Sequence, residues 1–259
     1  MIIRDKKTLA DMQHACTLAT EVLRGVYEAV AVGVTPLELD ALADELCAMR
    51  GTKPNFKGVG PIHNLYKHAM CISVNDTILH GIPDAKPLVS GDMVKLDFGL
   101  EWQGYHTDHC TTVIVGEPRN AADLRLVETT RQAVLAGVSQ AVAGNRTGAI
   151  GSEIEQTALA AGFDVVREFI GHGIGRSLHE EPEVPAWGKP SSGTVLKEGM
   201  VICVEAQIID GSARLYTSTD GWSLKTSDGS RGAMSEFMVL VGKREATILT
   251  PTQEWEVVR

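Results

Sequence analysis

Apolar residues near the start of the chain recur every three or four positions. Leu9, Met12, Cys16, Ala19, Leu23, Val26, Tyr27 and Val30 share one helical face behind a capping Asp5, which predicts a long amphipathic helix closing near Gly33. Thr35-Pro36-Leu37-Glu38 then supplies a cap residue, a proline at the first helical position and a carboxylate three residues after the cap. A second helix should therefore run to about Arg50-Gly51. From Met70 to Val115 the period shortens. MCISV, DMVKLDFGL and TTVIVG are β-rich runs broken by Gly, Pro, Asn and Asp, as expected of strands and turns.

The same order then returns, with a helical stretch over about Ala121 to Ala143, another beginning after Thr147 and ending near Ala161-Gly162, and more strand-like runs. GVTPLELDALADELCAMRGT, from Gly33, and GNRTGAIGSEIEQTALAAGF, from Gly144, share a capping Thr, buried-type positions and a closing Gly within one residue of the same spacing. Two related helix-helix-strand halves in an α+β fold would explain this, although any two capped helices look alike at this level. No linker-like composition separates the halves, so a single domain over residues 1–259 is expected.

With 44% hydrophobic residues in 259, the chain can bury a substantial core. Lys and Arg number 24 against 33 Asp and Glu, a net charge of -9 that offers no footprint for nucleic acid. The five cysteines are odd in number and lack any CxxC pair, which suits reduced thiols in a cytoplasmic protein. MIIRDKKTLADM meets charge after two apolar residues, and no later run approaches the ~20 apolar residues of a membrane span. Neither a signal peptide nor a membrane partner is expected.

The candidate chemistry lies in carboxylates and histidines. DMVKLDFGLEWQGYHTDHCTTVIVG resembles a β-hairpin turning near Trp102, Gln103 and Gly104. A turn centred on Gln103-Gly104 makes Asp97 and Asp108 diagonal neighbours on one face; a turn centred on Trp102-Gln103 places them directly opposite. Like charges so close are destabilising unless a proton or a cation neutralises them, the alternative being that one of the pair is a solvated turn residue. FIGHGIGRSLHEEPEVP carries His172 and His179 on a Gly-rich stretch that cannot be a regular helix. Glu205 in MVICVEAQI and Glu236 in AMSEFMVLV are embedded in apolar β sequence, where each needs a cation, a hydrogen-bond network or an exposed strand edge. Four carboxylates and one imidazole would be balanced in charge by two divalent cations. That donor set suits Mn, Fe or Co, with Zn possible, and argues against a thiolate-built structural zinc.

CISVNDTILHGIPD, KLDFGL, GYHTDHCT, GHGIGRSLHEEP, the Glu of VICVEAQ and the Glu of MSEFM together resemble the motifs of the type I methionine aminopeptidases, in that family's order and spacing. The resemblance spans nearly the whole chain. It implies the pita-bread fold, two pseudo-symmetric halves around an antiparallel sheet, with Asp97, Asp108, His172, Glu205 and Glu236 as metal ligands. It further implies His80 and His179 as substrate-contacting histidines, Glu205 as the base, and a methionine pocket at Cys71, Tyr66 and Trp222. Leu178 stands where the family commonly has an aromatic, and Ala206-Gln207 and Phe237-Met238 replace the residues that usually follow the two glutamates. The expected partners are nascent proteins or peptides with a free N-terminal Met; the ribosome is a candidate partner and a monomer is expected. The rival readings are an X-Pro peptidase, whose known examples usually carry an additional N-terminal domain, and a non-catalytic binding relative.

Overall fold

The computed structural model describes residues 1–259. Helix α1 spans Lys6–Ala29 and α2 spans Pro36–Met49; the strands that follow include β1 (Cys71–Val74), β2 (Met93–Phe98) and β3 (His109–Ile114). Helices α3 (Ala121–Ser139) and α4 (Thr147–Ala160) precede β4 (Gly171–Gly173), β5 (Glu180–Val184), β6 (Val201–Ile209) and β7 (Gly232–Leu240). These seven strands form an antiparallel path in the order β5-β4-β6-β7-β3-β2-β1, and two short strands complete the sheet. Helix-helix-strands therefore occurs twice along the chain, and β3 meets β7 where the two sets join, Cys110 pairing with Glu236.

Helices α2, α3 and α4 and the C-terminal half of α1 cover one face of this sheet, whereas Met12, Ala15 and Cys16 of α1 pack on Val201, Cys203 and Met238 of the other. Val204, Ala206, Phe237 and Val239 pack with Leu126, Val134, Ile150 and Ile154 beneath α3 and α4. Val94, Leu96 and Phe98 pack with Ala19, Leu23, Leu39 and Ala43 beneath α1 and α2. Because side chains alternate along a strand, the residues between these positions point to the other face. Register carries that alternation across the sheet: Cys71 lies opposite Asp97, Asp97 opposite Cys110, Cys110 opposite Glu236 and Glu236 opposite Glu205. One face is an apolar core and the other bears the carboxylates.

The helix ends depart from the sequence pattern in small ways. α1 closes at Ala29, where Val30 turns extended and its N–H reaches back to the Tyr27 carbonyl. Thr35 forms the expected capping box with Glu38. Thr147 does not cap α4, contrary to the expectation from the repeat: Arg146 occupies the cap position without a side-chain bond, and the Thr147 hydroxyl instead accepts from the Thr194 N–H. The hydroxyl serves a neighbouring loop, so the sequence likeness of the two helix starts is not a likeness of caps.

The hairpin that carries both aspartates turns at Gln103 (φ 49°) and Gly104 (φ 75°). Positive φ at both central residues is the type I′ geometry that matches strand twist. Trp102 pairs with Tyr105 and Glu101 with His106, and the same register continues to Asp97 opposite Cys110. Asp108 is thus the diagonal neighbour of Asp97. Gly104→Ala should lower stability by about 1–2 kcal/mol, the cost of a Cβ in the left-handed region, whereas Gln103→Gly should be neutral or stabilising. Urea denaturation midpoints of the two variants check this.

Candidate metal centre and active site

Strands β2, β6 and β7 and the residue preceding β3 bring Asp97, Glu205, Glu236 and Asp108 together, every one of them buried. Both glutamates lie on central strands, so the exposed-edge alternative does not hold for either. Ligand atoms of Asp97, Asp108 and Glu236 lie within 4.8 Å of one another, as do those of Asp108, His172 and His179. No lysine or arginine comes within ion-pair distance of any of the four; the nearest charged-type partner is His172 Nε2, 3.9 Å from Asp108 Oδ2. Asp108 Oδ1 and Glu236 Oε1 are buried without any hydrogen-bond partner.

Such a cluster holds protons unless something else neutralises it. Burial, then the neighbouring Glu205 charge, pushes the Asp97 carboxyl well above its ordinary range; burial and the surrounding carboxylates do the same to Asp108 and Glu236. Glu205 rises to about 7 through burial, opposed by a hydrogen bond from Gln207 Nε2 at 2.7 Å. His172 donates Nδ1–H to the Gly173 carbonyl at 2.9 Å, which leaves the Nε2 lone pair facing the carboxylates. Orphaned buried oxygens, an oriented imidazole and no protein cation fit a divalent metal site.

The two departures near the glutamates acquire roles. Gln207, fully buried, tethers Glu205 through its amide. Met238 turns its thioether toward β3, where Sδ accepts the Asp108 backbone N–H at 3.3 Å and the Cys16 thiol at 3.8 Å. Neither role was legible in the sequence, which marked these positions only as unusual.

Next to the carboxylates opens a cavity of about 610 Å³. His179 stacks edgewise on His172 with ring centroids 4.4 Å apart, and His80, held at φ 53°, meets Phe169 and Trp222 edge-on. Burial lowers both His80 and His179 to about 4, helped by His179 on the former and His172 on the latter, so both are neutral near neutral pH. Phe56, Tyr66 and Cys71 form a buried apolar cluster against which Leu178 and Trp222 pack. The Tyr66 hydroxyl donates to the Met70 and Gly81 carbonyls, and Trp222 Nε1 donates to the Asn64 carbonyl, fixing both rings. All the expected site residues reach this one place. Phe56 and Phe169 also line it and escaped the sequence reading, because each sits in a loop without periodicity or a chemical partner.

Fold and site define a metallopeptidase, and the chain belongs to metallopeptidase family M24, whose model matches residues 10–243. The chain is 37% identical over 250 residues to a methionine aminopeptidase of Clostridium perfringens, covering 96% of this chain and 98% of that one. The solved methionine aminopeptidase of Thermotoga maritima superposes with a TM-score of 0.91 at 36% identity, over 96% of this chain and 99% of that one. A prolidase from Pyrococcus furiosus matches less closely, with a TM-score of 0.74 at 25% identity over 97% of this chain and 66% of that one. No helix is long and apolar enough to cross a membrane.

The raised carboxyl values give a pH dependence with a definite sign. A carboxyl raised in the folded state stabilises the metal-free protein below its ordinary value, and that stability is lost as pH rises through the raised value, about 7 for Glu205. A metal bound there would replace those protons and meet less competition from them as pH rises. The melting-temperature gap between Mn²⁺-loaded and chelator-stripped protein should therefore widen from about pH 6 to about pH 8. Scanning calorimetry of both forms in matched buffers measures it.

Proposed function

We propose that this chain removes the N-terminal methionine from proteins and peptides, using two divalent cations held by Asp97, Asp108, His172, Glu205 and Glu236. The observation that carries the reading is four buried carboxylates without a protein cation, facing an apolar pocket. Mn, Fe or Co suits the oxygen-rich donor set. Bound there, the cations supply the positive charge that lowers the pKa of an attacking water. Glu205 takes the proton from that water and passes it to the leaving amine, and the Gln207 amide holds its carboxylate in place. His179 and His80, neutral and lining the cavity, hydrogen-bond the scissile amide and the oxyanion that develops from it.

The methionine side chain enters between Phe56, Tyr66, Cys71, Leu178 and Trp222, where a flexible thioether meets aromatic edges. Leu178 leaves one wall aliphatic, while Phe56 supplies a ring from another side. Nascent chains with a free N-terminal Met are the partners this implies; contact with the ribosome, a monomeric state and a cytoplasmic location are further parts of the proposal.

Glu205→Gln should lower kcat by roughly three orders of magnitude or more, because it removes proton transfer and a ligand together; His179→Ala should cost less. Steady-state rates with metal content measured alongside check the ranking, and a near-normal rate in metal-loaded Glu205→Gln would remove Glu205 as the base. Among peptides, Met-Ala-Ser should be cleaved with higher kcat/KM than Leu-Ala-Ser, by about 1–3 kcal/mol of discrimination. Ala-Pro-Ser should be a poor substrate. Efficient cleavage of the proline peptide with indifference to Met would favour an X-Pro peptidase.

A further inference from the structure

Cys203 lies two residues before Glu205 on β6, so both side chains point to the carboxylate face of the sheet. Across the ladder it pairs with Met238, adjacent on that face to Glu236. It is fully buried, and ligand atoms of Cys203, His172 and Glu236 all lie within 4.8 Å of one another. Glu236 itself, only 2% exposed, holds Oε1 without a hydrogen-bond partner. The His172 lone pair at Nε2 is left free by the Nδ1–H bond to Gly173. A thiol, an imidazole nitrogen and an orphaned carboxylate oxygen thus converge at one place beside the proposed ligands.

We propose that Cys203 is an additional donor of the metal centre, forming with His172 and Glu236 a sulfur-nitrogen-oxygen face that takes thiophilic divalent cations such as Cd²⁺ or Zn²⁺. The inference rests on the metal-centre reading above and extends it. Sulfur, imidazole and carboxylate together suit a soft or borderline cation, whereas the all-oxygen group of Asp97, Asp108 and Glu236 suits harder ones. On binding, the Sγ–H proton leaves to solvent and the Sγ lone pair forms the bond to the cation, with no change of oxidation state. The other cysteines near the site are placed differently. Cys71 and Cys110 flank Asp97 on the neighbouring strands, and neither joins a three-donor group.

The test is titration of chelator-stripped full-length protein with Cd²⁺, read by the ultraviolet sulfur-to-cadmium charge-transfer band. Wild type should develop the band to a saturating endpoint. Cys203→Ser and Cys203→Ala should lose it and bind Cd²⁺ roughly tenfold or more weakly, while Cys71→Ser and Cys110→Ser retain it. Mn²⁺ binding by electron paramagnetic resonance, together with a cooperative melt, establishes that each variant still folds around its site. Cadmium NMR of the unsubstituted protein, where a thiolate donor shifts the resonance strongly downfield, gives the same answer without any variant. Saturable Cd²⁺ binding without the band, or a band that persists in Cys203→Ser, would overturn the role of Cys203 and leave the carboxylate centre standing. Absence of both Cd²⁺ and Mn²⁺ binding would overturn the metal-centre reading with it.

Discussion

Four carboxylates buried on one face of a sheet, with no lysine or arginine close enough to pair with any of them, would repel one another strongly if all were ionised. The fold keeps them together because their backbones belong to strands whose opposite face is committed to the core: Val204, Phe237 and Leu96 anchor the strands that Glu205, Glu236 and Asp97 share. Neutralisation must then come from protons or from cations. Protons would occupy the oxygens that the proposed chemistry needs. A divalent cation bound there, as proposed, would satisfy the orphaned oxygens of Asp108 and Glu236 and restore the ionised form of Glu205 near neutral pH.

The surroundings follow from that demand. Three of the five proposed ligands are held by groups that would not compete for a cation: an amide on Glu205, a thioether at the Asp108 backbone, a carbonyl on the far nitrogen of His172. Beyond them the site changes character. The neutral histidines His80 and His179 line the same cavity as the carboxylates and the aromatic rings, and Glu180, Glu181 and Glu183 add further acidic groups to its wall.

Much of this was legible in the sequence. Period and caps located α1 and α2, the repeated order located α3 and α4 although Thr147 does not cap α4, and the hairpin forced Asp97 and Asp108 onto one face in either register; the left-handed pair Gln103-Gly104 then selected the diagonal one. Glu205 and Glu236 were conspicuous as charges within apolar strands. What stayed hidden depended on contacts between segments distant in sequence. Met238 finds Asp108 130 positions away, and Thr147 serves Thr194 instead of its own helix. Phe56 reaches the pocket from a loop whose sequence has no period to betray it. Cys203 is one of five cysteines without a CxxC partner, and nothing local in the sequence shows that its strand faces His172 and Glu236.

A requirement for divalent cations bound by the carboxylate cluster underlies the proposed peptide hydrolysis. Its most direct test is elemental analysis of chelator-stripped protein before and after equilibrium dialysis against Mn²⁺, with Met-Ala-Ser hydrolysis assayed on the same samples. Two Mn²⁺ per chain, gained together with activity and both lost in Asp108→Ala, is the expected result. Full turnover by protein carrying no metal would show that the cations are not required.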